Sequence, residues 1–240
     1  MSGKPIMVAG LLLAMSLCAG EPSLARSATA LTPRQVLDIW EKDPRLGPFT
    51  RKVEVAFPEE VLEIAQSFLA KQRSGASERQ LRAFVDAQTE ALMDSHRYLL
   101  ATAPDEKLVR YVTAAEQSEV ILQSKDPALC AHPNDVTTEN AGTFLALPQI
   151  DALLDAMTSG RDTPVQRAPA SPTDFDAYRQ SFLHLQVSKE VLDAAQNPKA
   201  PRDDKTQCEL LIALLKAYEP LPPDVLGRLI GASVGTPPAK

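Results

Sequence analysis

The stretch Asp204–Tyr218, DKTQCELLIALLKAY, constrains the chain most. Cys208, Leu211, Ile212, Leu215 and Tyr218 recur at the i, i+3, i+4, i+7 spacing of a buried helical face. Leu210 and Leu214 widen that stripe, as in a helix covered on more than one side. Asp204 is the expected N-cap, with Gln207 three residues on closing a capping box. Pro220, Pro222 and Pro223 stop the helix. A cysteine on such a stripe points inward, and its partner then becomes the question.

The chain has three cysteines, Cys18, Cys130 and Cys208. Met1–Pro5 carries Lys4 and no acid, and Ile6–Leu17 is an uninterrupted apolar run too short to cross a bilayer. Small residues follow, the order of a secretory signal peptide. Cleavage is expected after Gly20 or after Ala25. Removing Cys18 with this leader leaves one pair, and an oxidising compartment favours joining Cys130 to Cys208. The rival in which Cys18 becomes a lipidated first residue is disfavoured by Leu17, where a small residue is preferred. A periplasmic or secreted protein is expected, with no integral membrane segment after cleavage.

About 215 residues then remain, enough for one sizeable core or two small ones. The formal net charge of −6 disfavours nucleic acid, which is bound by clustered Lys and Arg. It equally disfavours a peripheral role on an anionic membrane surface. With 10 glycines against 20 prolines, the chain lacks the glycine turns and repeated alternation that sandwiches and barrels need. An all-α fold is expected: a single helical-bundle-like domain of about seven helices.

Thr32 caps a short first helix with Pro33 at its first position and Val36, Leu37 and Trp40 on one side. Val53-Glu54-Val55-Ala56-Phe57 alternates, and with no partner strand in sight Phe49–Phe57 reads as an extended connector. Pro58–Arg73 and Ser77–Leu100 read as an αα-hairpin, the second helix opened by a Ser77/Gln80 capping box. Asp105–Ser124 is the next helix, ended by Asp126-Pro127. Residues 126–146 have no sustained period and form a long loop, a length that marks function or disorder. Pro148–Met157 is a short helix, and 158–171 is a polar, proline-bearing, linker-like loop. One long helix runs from Pro172 to Asn197 with Phe175, Tyr178, Phe182, Leu185 and Leu192 inward. Asp224–Ile230 is the last helix, before a flexible tail at 231–240. The domain is taken as 26–230, because a Cys130–Cys208 bridge ties the two sides of the linker-like loop together.

Chemistry is sparse. The histidines are His96, His132 and His184, with no H-E-x-x-H and no i, i+4 pair. Cys130, His132 and Cys208 with a carboxylate have the residue types of a zinc site, but a disulfide consumes both sulfurs, so no metal is expected and no other cofactor is indicated. No G-x-S-x-G elbow, phosphate loop or dinucleotide fingerprint occurs. Ser95-His96 point about 100° apart on a helix and make no dyad. Arg79, Arg82 and Arg97 are interleaved with acids and read as a solvated face.

No motif ties the chain to a family of known activity. The expected function is non-catalytic: binding of another envelope or secreted protein, as inhibitor, immunity factor or assembly accessory. Contact is expected from 126–146, with His132, Asn134 and Asp135 as the candidate residues. One alternative is a cell-wall glycan hydrolase, which needs a carboxylic acid at the scissile bond. Glu119, in register with Leu108, Val112, Ala115 and Leu122, is its candidate acid, and Glu90 a second. The simpler expectation for Glu119 is a helix-edge acid with its tip in water. A small-ligand carrier, with an apolar pocket between helices, is the other alternative.

Overall fold

The computed structural model describes residues 31–44, 47–132 and 147–235. Every regular element among them is helical: eleven α-helices and one 3-10 segment. The fold is all-α. None of these helices is long and apolar enough to cross a membrane. Residues 1–30, which hold Cys18 and the expected leader, 45–46, 133–146 and 236–240 lie outside the described residues.

Contacts gather the described chain into two compact units, 31–94 and 95–235. The first holds α1 (Pro33–Lys42), α2 (Gly47–Ala56), α3 (Pro58–Arg73) and all but the end of α4 (Glu78–His96). Thr32 caps α1 through a reciprocal box: its Oγ1 accepts from Gln35 N, and its own N–H donates to Gln35 Oε1 at 2.9 Å. Ser77 and Gln80 do the same at the start of α4. Each box satisfies backbone donors that a helix start leaves orphaned.

The Phe49–Phe57 segment is helix, not extended connector. Phe49, Val53 and Ala56 are buried at i, i+4 and i+7, while Val55 is 80% exposed. The short alternation is what a helix gives when one valine faces the core and the next faces water. Trp40 and Phe68 meet edge to face at 5.4 Å, the preferred geometry of an aromatic pair. Val36, Leu37, Phe57, Ala65, Leu69 and Val85 complete this core.

The second unit continues from the end of α4 through the 3-10 segment Arg97–Thr102 into α5 (Asp105–Lys125). Then come α6 (Pro127–Ala131), α7 (Pro148–Asp162), α8 (Pro172–His184), α9 (Lys189–Gln196), α10 (Asp204–Lys216) and α11 (Pro223–Val234). Helix α5 is the hub, packed against α6, α7, α10 and α11. Leu108, Tyr111, Val112, Ala115, Ser118 and Leu122 are buried along it, a wide arc that suits a helix enclosed on several sides.

Several boundaries differ from the sequence reading. The helix expected over Ser77–Leu100 ends at His96 and tightens into the 3-10 segment. Helix α7 runs to Asp162, so the first residues of the linker-like 158–171 stretch are helical. The rest is pinned: Val165 N donates to Thr102 O at 2.8 Å. Arg167 donates to the carbonyls of Ala101 and Ala103 and to the Asp105 carboxylate. The single helix expected from Pro172 to Asn197 is two, α8 and α9, broken where Gln186 turns to φ +50°. Phe175, expected inward, is 51% exposed. The last helix continues past Ile230 to Val234.

Candidate functional site

The site is built on the first turn of α10. Its N-cap is Asp203, one residue earlier than expected: the Asp203 side chain accepts from Thr206 N at 2.7 Å. Asp204, freed from capping, lies in the first turn with its carboxylate directed outward. Along the same helix Cys208, Leu210, Ile212 and Ala213 are buried, whereas Leu211 and Leu215 are only half-buried. This helix packs against α6, α5 and α9.

Cys208 meets Cys130 of α6 at bonding distance, with Cα atoms 5.2 Å apart and both residues wholly buried. The disulfide clamps the five-residue α6, too short to hold itself, onto α10. Asp126 caps α6 by accepting from Ala128 N at 2.9 Å. The sequence reading placed this turn of helix inside a loop.

Immediately after α6, His132 Nε2 lies 2.8 Å from Asp204 Oδ1, with both side chains about half exposed. Nothing in the sequence signals the pairing, because the two are 72 residues apart and meet only where α6 packs on α10. A carboxylate so placed orients an imidazole and fixes its tautomer. Both neighbouring sulfurs are held in the disulfide, so neither is a nucleophile or a metal ligand. Among the described residues no group of three or more potential metal ligands occurs. Asn134 and Asp135, expected beside His132, lie outside the described residues.

An open groove of about 510 Å³ runs along the middle of α10. Leu185, Val187, Val191 and Ile212 give it an apolar lining, and Glu209 and Lys216 stand at its rim, with Gln123 and Ser188 adding polar atoms. Lys216 also reaches Glu116 of α5 at 3.5 Å. Gln186 sits between two lining residues, so the backbone turn that breaks α8 from α9 also shapes one wall.

Glu119 is not a helix-edge acid with its tip in water. It is 7% exposed, and its Oε2 is buried without a hydrogen-bond partner. Burial pushes its carboxyl up to about 7, because a low-dielectric surround disfavours the charged form. It lines neither the α10 groove nor the small apolar cavity around Thr50 in the first unit. Glu90 is exposed on α4, His184 is exposed with its Nδ1 2.6 Å from Gln180 O, and His96 is half-buried at the end of α4. Neither His96 nor His184 lines the α10 groove.

No family model, curated protein or solved structure matches the chain.

Proposed function

We propose that this is an exported, non-catalytic helical protein that binds another envelope or secreted protein, as an inhibitor, immunity factor or assembly accessory. The observation that supports this reading is the clamped, half-exposed His132–Asp204 pair at the head of α10. A buried disulfide beneath an exposed polar pair presents it with little ordering cost left to meet on association, which favours recognition. His132 is the contact residue of this reading, with Asn134 and Asp135 following it in sequence.

Photo-crosslinking tests it. A photoreactive residue is placed at position 132 and, as a control, at the exposed Val55 of the first unit, and adducts are identified from the envelope of the native host. A defined protein adduct at 132, absent at 55 and weakened by Asp204→Ala, supports the proposal. Equal adducts at both positions, or none, argue against it.

The raised carboxyl of Glu119 favours the glycan-hydrolase alternative, because a general acid needs its proton near neutral pH. Its burial opposes that role, since a polymer must reach the acid. Release of soluble fragments from purified peptidoglycan, abolished by Glu119→Gln, would select the enzyme. The α10 groove favours the carrier alternative, its volume falling in the usual range for small-molecule sites. Native mass spectrometry showing a retained small molecule would select that one.

A further inference from the structure

We propose that the α10 groove binds a short apolar peptide with free ends, about three residues long, its ammonium group held by Glu209 and its carboxylate by Lys216. The site is separate from the head of α10, because neither His132 nor Asp204 lines it. It therefore goes beyond the partner-binding reading and stands or falls without it.

The lining sets the body of the ligand. Leu185, Val187, Val191 and Ile212 surround the groove with apolar surface. Val191 and Ile212 are buried, whereas Leu185 and Val187 are half-buried, so part of this apolar lining still meets water. A ligand with apolar side chains gains by removing it from solvent. Val187 adds a polar element, since it lies in the non-helical turn between α8 and α9. Among the described residues its N–H and C=O enter no backbone–backbone hydrogen bond. An extended peptide carries the complementary groups for such a wall.

The rim sets the ends. Glu209 and Lys216 both line the groove, and they sit on α10 about 20° short of two full turns apart, with roughly 10 Å between their Cα atoms. An extended chain advances about 3.3–3.6 Å per residue, so a tripeptide spans that gap from amine to carboxylate. A ligand with one charge, or with none, leaves a rim group unmatched. Both rim groups have capacity to spare. Glu209 meets Lys205 at 3.8 Å and Lys216 meets Glu116 at 3.5 Å, with the Glu209 and Lys216 side chains 34% and 44% exposed. Pairs this loose and this wet contribute little. An ammonium has three donors and a carboxylate several acceptor positions, so a ligand adds to these pairs without breaking them.

The test titrates the full oxidised chain with the tripeptide Leu-Ala-Leu, followed by ¹⁵N chemical shifts. Saturable shifts are expected at Val187, Val191 and Ile212. Acetylating the amine, or amidating the carboxylate, is expected to weaken binding by about five- to ten-fold each. Lys216→Gln should bind the free and amidated peptides alike yet still prefer the free amine, and Glu209→Gln should do the reverse. The capped peptides need only wild type, so the test survives a variant that does not fold. No saturable shift in the groove, or equal affinity for the free and the doubly capped peptide, would overturn the proposal.

Discussion

Arg228 of α11 donates from Nε and Nη2 to the two carboxylate oxygens of Asp174 in α8, at 3.0 and 2.8 Å. Asp174 also accepts from the N–H and hydroxyl of Ser171, at 2.8 and 2.9 Å. One carboxylate thus closes the capping box of α8 and anchors the last helix of the chain. The Arg228 hydrogen bonds, then those from Ser171, hold its carboxyl well below the usual carboxylate range. Because the folded value is depressed, this stabilisation is present above about pH 3.8 and is lost as pH falls toward the folded value. Asp174→Ala is expected to lower the Tm at neutral pH and to make its decline below pH 4 shallower than in wild type. Thermal melts from pH 2 to pH 7 measure both.

Removing the sulfur bridge is expected to cost about 4–5 kcal/mol in the chain-entropy account, since the cysteines are 78 residues apart. Urea unfolding of Cys130→Ala/Cys208→Ala against the oxidised wild type reads this directly. A loss below about 1 kcal/mol would mean that the reduced chain keeps α6 on α10 without help.

Arg167 is almost wholly buried, its side chain 9% exposed, and it joins two carbonyls of the segment before α5 to the Asp105 carboxylate. Arg167→Ala leaves these acceptors without their donor and is expected to cost about 3 kcal/mol. A Cβ on Gly227 would fall on the Arg167 guanidinium. Gly227→Ala should therefore destabilise through the same contact, and in a double-mutant cycle the two losses should be markedly less than additive.

Gln186 is the single non-glycine residue with positive φ among the described residues. It occupies the position just past a helix end where glycine is the usual solution. Gln186→Gly is expected to stabilise the protein by about 0.5–1 kcal/mol, the relief of left-handed strain less the entropy glycine loses on folding. A shift of the urea midpoint at constant m-value checks it.

Helix starts were the part of the fold most readable in the sequence. Pro33, Pro58, Pro148 and Pro172 each open a helix, and the Thr32 cap and the Ser77/Gln80 box stand where the sequence placed them. These signals are local, a side chain meeting a backbone group three residues away, yet the Asp204/Gln207 box expected for α10 gave way to a cap from Asp203. Internal breaks were harder to read. Leu185-Gln186-Val187-Ser188 holds neither glycine nor proline, and the break is marked locally only by Ser188, whose side chain caps α9 by accepting from Val191 N. Phe175 shared the periodicity of Tyr178 and Phe182, yet α8 is covered on too narrow an arc to shelter all three. The candidate site was legible as far as its cysteines, which counting alone brought together. The His132–Asp204 contact was not, since it joins residues 72 apart, and neither was the depth of Glu119, which depends on tertiary packing around α5 that the helical period alone does not reveal.

The Cys130–Cys208 link turns a third of the polypeptide into a ring. A protease that cuts once anywhere between the two, including the stretch after His132, opens the ring without releasing a piece. Such a nicked molecule would run as one band on a non-reducing gel and as two after reduction. While the bridge holds, a single nick there is a scar rather than a severance.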